Sequence, residues 1–191
     1  MANLYILAGC NGAGKTTAAY TLLPNEFNVR EFVNADEIAR GLSPFNIESV
    51  AFEAGRLMLQ RIDYLMNKTV DFALETTLSS RSYVQTVKRA QASGYRVKLY
   101  YVWLESAEMA QERVAIRVSK GGHNIPNDVI ERRYNRSVSN LVNLYIPICD
   151  DFSVINNSGT QPEFVAQGGL NLGIDVFNAE IWQRIKEHEN S

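Results

Sequence analysis

The chain has 191 residues, enough for one hydrophobic core of ordinary size, and a single domain over 1–191 is expected. Its 46% hydrophobic and 21% charged residues are those of a globular protein, and 19 basic against 21 acidic residues leave a net charge of −2, which exerts no overall pull on nucleic acid or anionic membrane. No apolar run approaches the ~20 residues that span a bilayer. The first residues lack the charged start of a signal peptide, and Cys10 and Cys149 form neither a disulfide framework nor a zinc motif. A cytoplasmic protein with no membrane partner is expected.

Leu4–Ala8 is an apolar run that reads as a buried strand. It leads into Gly9-Cys10-Asn11-Gly12-Ala13-Gly14-Lys15-Thr16, and Thr17–Leu23 follows with a helical pattern. Strand, glycine loop and helix N-terminus in this order, with the spacing G-x-x-x-x-G-K-[ST], make a P-loop. Its glycines let the backbone N–H groups of Gly9, Asn11, Gly12, Ala13 and Gly14, with those of Thr16 and Thr17, turn toward phosphate oxygens. Lys15 reaches the β/γ-phosphates and Thr16 is placed to ligate Mg²⁺. ATP and Mg²⁺ are therefore the expected cofactors. Cys10 is read as a small loop residue rather than a redox sensor.

After a break at Pro24-Asn25-Glu26, Glu31–Asn34 reads as a second strand, with Asp36 at its end. Open α/β sheets bind ligands outside the carboxyl ends of their strands, so Asp36 can face the γ-phosphate; a helix N-cap is the other reading. Ile47 to Met66 carries apolar residues at three- and four-residue steps and is expected as one long amphipathic helix. Asp71–Thr76 reads as a third strand ending in Glu75 and Thr76, where a carboxylate can hold Mg²⁺ through water or bind an acceptor hydroxyl.

Arg81–Ser93 is expected to be helical, with Gly94 as its stop. Tyr95–Leu104 is the strongest strand signal, with both faces apolar as a covered parallel sheet requires. Ser106 caps a helix that carries Arg113 and Arg117, and Lys120–Pro126 interrupts it. A further helix from Asn127 to about Tyr145 has the core face Ile130, Tyr134, Val138, Leu141 and Tyr145. Between Glu112 and Arg136, six basic residues (Arg113, Arg117, Lys120, Arg132, Arg133, Arg136) stand against three acids (Glu112, Asp128, Glu131), a local balance of +3. Either this is a solvated basic face, or arginines about a Gly-Gly hinge form a lid over phosphate at about 112–136. Asp151–Asn156 is a fifth strand. Glu163–Ala166 and Ile174–Phe177 read as a small hairpin about Gly168–Gly173, and Asn178 caps a last helix, a C-terminal extension over about 160–191. The expected fold is α/β, a P-loop NTPase with a five-stranded, mostly parallel, doubly wound sheet and helices on both faces.

With these residues in hand, the chain resembles the zeta-toxin family of P-loop kinases, in its compact ATPase branch. The likeness rests on Gly9–Thr17; Asn34-Ala35-Asp36 with Arg40 and Pro44; Leu74-Glu75-Thr76-Thr77; Gly94-Tyr95; and Gly121-Gly122-His123 through Arg132-Arg133-Tyr134-Asn135-Arg136-Ser137. The resemblance implies a kinase that uses ATP to phosphorylate a sugar hydroxyl, which in characterised zeta toxins belongs to UDP-N-acetylglucosamine, and it implies a possible antitoxin partner. It gives Asp36 the role of base and Glu75, with Arg40 and Thr76, that of acceptor contacts. It places lid arginines on the ATP phosphates without aligning Arg113, Arg117, Arg132, Arg133 and Arg136 individually; we rank them Arg117, Arg136, Arg133, Arg113, then Arg132. Two other classes fit the same residues: an ATP-hydrolysing regulatory protein without an acceptor, and a polynucleotide or tRNA kinase, which the absence of overall basic charge disfavours.

Overall fold

A computed structural model describes residues 1–190, with side chains through 188. The elements in chain order are β1 (Asn3–Ala8), α1 (Lys15–Asn25), β2 (Phe32–Val33), α2 (Ala35–Leu42), α3 (Ala51–Lys68), β3 (Phe72–Thr76), α4 (Tyr83–Ala92), β4 (Arg96–Trp103), α5 (Ala107–Ser119), α6 (Asn127–Asn140), β5 (Asp151–Asn156), β6 (Glu163–Gly169), β7 (Leu172–Val176) and α7 (Ala179–Lys186). One sheet runs in the order β2-β3-β1-β4-β5-β6-β7. Its first five strands are parallel.

Strand β1 explains the layering. Its alternating side chains split between two cores, Leu4, Ile6 and Ala8 joining Met58, Val87, Val114 and Ile130 on one face. Tyr5 and Leu7 join Ala19 and Leu23 of α1 on the other. Helices therefore cover both faces, which is why β1 is apolar without a break from Leu4 to Ala8. The five residues expected as the core face of α6 and its continuation are all buried.

The structure corrects the expectation of a five-stranded sheet. The C-terminal hairpin is no separate appendage: β6 pairs antiparallel with β5, Val154 opposite Ala166, and β7 with β6, so the sheet has seven strands. The glycines read as the turn lie largely in the strands. A Cβ on Gly169 would stand 2.1 Å from the Asp150 carbonyl oxygen, so only glycine lets β6 close onto the start of β5. The helix expected from Ile47 begins instead as a 3₁₀ turn over Ile47–Val50 and becomes α-helical at Ala51. Ile47 and Val50 are only half-buried, so no tight packing holds that first turn to the 3.6-residue period.

Candidate active site

The parallel register brings three strand ends together. Leu7 pairs with Glu75 and Ala8 with Thr76, while Val33 of β2 pairs with Leu74. The glycine loop, Glu75 and the start of α2 thus meet above the carboxyl edge of the sheet. Gly14, at φ 93°, precedes α1; a Cβ there would come within 2.8 Å of the Asn157 amide nitrogen, which donates to the Ala13 carbonyl at 2.8 Å. Asn157 follows β5 and so locks the loop from the far side. Sequence reasoning missed it, although a polar Asn-Asn-Ser run just beyond a strand's carboxyl end is the available signal.

Within the loop, Lys15 Nζ donates to the Cys10 carbonyl at 3.0 Å and lies 3.7 Å from Glu75 Oε1. Thr16 Oγ1 donates to the Glu75 carboxylate at 2.9 Å, and Asn34 Nδ2 does so at 2.9 Å. Burial raises the Glu75 carboxyl pKa, opposed by the Lys15 charge and the Thr16 hydrogen bond, with nearby Asp36 adding to the rise. Thr16 and Glu75 are the two positions expected to serve Mg²⁺. They form an adjoining hydroxyl and carboxylate, hard oxygen donors of the kind that hold this ion beside a phosphate chain. Cys10 is buried and its thiol is pushed up to about 11 by burial, which keeps it protonated and unreactive at neutral pH.

Asp36 is exposed, in the first turn of α2, and lines the same cleft of about 230 Å³ as Lys15, Glu75, Thr76 and Arg133. The cap of that helix is Asn34, whose Oδ1 accepts from the Asp36 N–H at 2.8 Å and the Glu37 N–H at 3.4 Å. Capping is thereby removed as the reason for an aspartate at 36. Thr76 Oγ1 accepts from Leu78 N–H at 3.1 Å and so shapes the loop after β3.

The five arginines of the basic run go to different places. Arg133 donates to Asn11 Oδ1 at 3.4 Å, over the P-loop. Arg113 donates to the Asn157 carbonyl at 2.7 Å, tying α5 to the loop beyond β5. Arg117, first in the sequence ordering, donates to the His123 carbonyl at 3.0 Å and stabilises the Lys120–Pro126 turn. Arg40 pairs with Glu37 at 3.2 Å and faces the same hollow as Arg113 and Arg117. Arg132 and Arg136 are exposed and, with Arg81, line a second cleft of about 720 Å³ that shares Ser79, Ser80 and Arg133 with the first. Thr17 is exposed on α1.

A family profile described as zeta toxin matches residues 2–161. The chain belongs to the zeta-toxin family. An uncharacterised Haemophilus influenzae protein is similar to it, 32% identical over 126 residues that cover 66% of this chain and 88% of that protein. Among solved structures, a chain of the AvrRxo1-ORF1:AvrRxo1-ORF2 complex with sulphate ions superposes with a TM-score of 0.79 at 18% identity. That match covers all of this chain, which spans 65% of the length of its counterpart. The PezAT toxin–antitoxin system of Streptococcus pneumoniae gives 0.64 at 18% identity, over 85% of this chain and 72% of that one. The P-loop kinase fold of this zeta-toxin family member is thus shared with a chain of the AvrRxo1-ORF1:AvrRxo1-ORF2 complex and with one of the PezAT toxin–antitoxin system. Among the described residues no helix is long and apolar enough to cross a membrane.

Proposed function

We propose that this zeta-toxin family member is an ATP-dependent kinase that transfers the γ-phosphoryl group to a hydroxyl of a sugar or nucleotide-sugar. The observation that carries the reading is the position of Asp36: an exposed carboxylate, not used as a cap, in one cleft with Lys15, Glu75 and Arg133. The loop N–H groups and the start of α1 hold the phosphates, and Lys15 neutralises the β/γ oxygens. Thr16 and Glu75 would hold Mg²⁺, which would supply charge neutralisation on the phosphate chain. As the acceptor oxygen bonds to the γ-phosphorus and the bond to the ADP oxygen breaks, Asp36 takes the acceptor's proton. Arg133 offers a positive charge to the transferring group. Two observations support a nucleotide-sugar and a protein partner: the adjoining cleft with Arg81, Arg132 and Arg136 suits an acceptor that carries phosphate, and the superposed PezAT is a toxin–antitoxin system.

The experiment is ATP turnover by wild type and Asp36→Asn with UDP-sugars, free sugars, nucleosides and oligonucleotide 5′-ends. Turnover should rise with one class of sugar acceptor and fall roughly 10²–10⁴-fold in Asp36→Asn, the range for general acid–base catalysis. Turnover indifferent to every acceptor would point to the regulatory ATPase, and phosphorylation of oligonucleotide ends to the polynucleotide kinase.

A further inference from the structure

Two glycines of the P-loop are packed against groups that lie outside it. A Cβ on Gly12, at φ 79°, would stand 2.8 Å from the Ala110 carbonyl oxygen and 3.2 Å from Arg113 Cβ, so α5 rests directly on the loop backbone. A Cβ on Gly14, at φ 93°, would meet the Asn157 amide nitrogen. Ala13 stands between these two glycines, where no flanking Cβ opposes rotation of a peptide plane. The direction in which the loop's N–H groups point is therefore set by what holds its carbonyls.

At the Ala13–Gly14 peptide that holder is Asn157, whose Nδ2 donates to the Ala13 carbonyl at 2.8 Å. The peptide is trans, so its carbonyl and its N–H point in opposite directions. Holding the carbonyl toward Asn157 turns the Gly14 N–H away from it. Asn157 is in turn held at both ends of its backbone. Its N–H donates to the Trp103 carbonyl at 3.0 Å, and its carbonyl accepts from Arg113 Nη2 at 2.7 Å. The same Nη2 reaches the Ser158 carbonyl at 3.4 Å, and Ser158 Oγ accepts from the Glu105 N–H at 2.9 Å. Arg113 is half-buried in these contacts, whereas Arg117, Arg132 and Arg136 are exposed.

We propose that Arg113 is a positioning residue: through Asn157 it fixes the Ala13–Gly14 peptide with its N–H toward the α/β-phosphates, and its own charge makes no phosphate contact. This rests on the reading of the P-loop as a nucleotide site and not on any acceptor. Without the anchor the glycine-flanked peptide samples other orientations, and affinity falls by the fraction that still presents the N–H. The loss falls on ADP and ATP alike, since both carry the phosphates that the loop cradles. An arginine that touches the γ-phosphate would weaken ATP and spare ADP. The test is calorimetric titration of ADP and of ATP into wild type, Asn157→Leu, Arg113→Met and the double variant, each with wild-type circular dichroism at the titration temperature. Leucine matches asparagine in size and donates nothing; methionine keeps the stem over Gly12 and removes the guanidinium. Asn157→Ala gives the same reading should the leucine not fold. Asn157→Leu should weaken both nucleotides by one common factor, roughly 10-fold or more, as losing a hydrogen bond to a charged group does. Arg113→Met should weaken both equally and by less. The double variant should match Asn157→Leu within about twofold, because the two residues act along one path. ATP weakened with ADP spared in Arg113→Met, losses that add in the double variant, or unchanged ADP affinity in Asn157→Leu overturns the proposal. A wild type that binds neither nucleotide overturns it together with the reading of the loop.

Discussion

Asn34 holds the backbone of one acidic residue and the carboxylate of another. Its amide oxygen takes the N–H of Asp36 at 2.8 Å while its amide nitrogen donates to Glu75 at 2.9 Å. Because Asn34 supplies the cap, Asp36→Asn should leave the melting temperature unchanged while acceptor phosphorylation falls, and differential scanning calorimetry beside the kinase assay checks both. Asn34→Asp keeps the cap but sets a carboxylate against Glu75, so the acid limb of the pH–rate profile should move to higher pH.

Glu75 itself gives a stability test. Its folded pKa is raised mainly by burial, so the folded state binds the proton more tightly than the unfolded chain. The stability it contributes is full below the ordinary value of 4.5 and is lost as pH rises from there through the raised value. Glu75→Gln, which cannot ionise, should flatten that decline in melts of nucleotide-free protein across the same pH range. Among the arginines, Arg133→Ala should cost on the order of 10³-fold in turnover if its charge meets the transferring group. Arg132→Ala should leave turnover without acceptor unchanged.

At the scale of elements, the segment after β3 depends on α6. Leu78 sits at φ 60°, an uncommon conformation for a branched residue, with its N–H on Thr76 Oγ1 and its carbonyl accepting from buried Asn140 Nδ2 at 2.8 Å. Tyr145 adds a bond from its hydroxyl to the Ser80 carbonyl at 2.7 Å. Those contacts fix Ser79 and Ser80 at the border of the two clefts. Asn140→Ala should lower stability by about 1–3 kcal/mol in denaturant titration, since it strands a buried carbonyl, and should raise the KM for acceptor more than that for ATP. The helices themselves were legible: a 3.6-residue apolar period and the caps Ser106 and Asn178, which accept from Met109 and Ile181 N–H, are local signals. Hairpin placement was not, because glycine at 168 and 169 reads as a turn until the backbone of Asp150 is seen against it.

Over the whole molecule, nucleotide binding should stabilise the fold by mass action, by about 2.7 kcal/mol at a hundred times Kd. ATP should therefore raise the melting temperature of the wild type, and Lys15→Ala, which loses the charge on the phosphates, should show little or no rise in a thermal-shift titration.

The linear sequence determined the P-loop, the strands that alternate with helices, and the two carboxylates, one just after β2 and one at the end of β3. These are signals of spacing and period within a few residues, and they rest on local backbone geometry. The tertiary structure decided what each polar side chain faces. It gave the cap to Asn34, brought Asn157 across 144 residues of chain to Ala13, and set Arg133 above Asn11 while Arg117 went to a carbonyl of its own turn. Strand order and the closing of α6 over the sheet place those groups, and an arginine on a helix carries no local mark of the partner that long-range packing will bring to it.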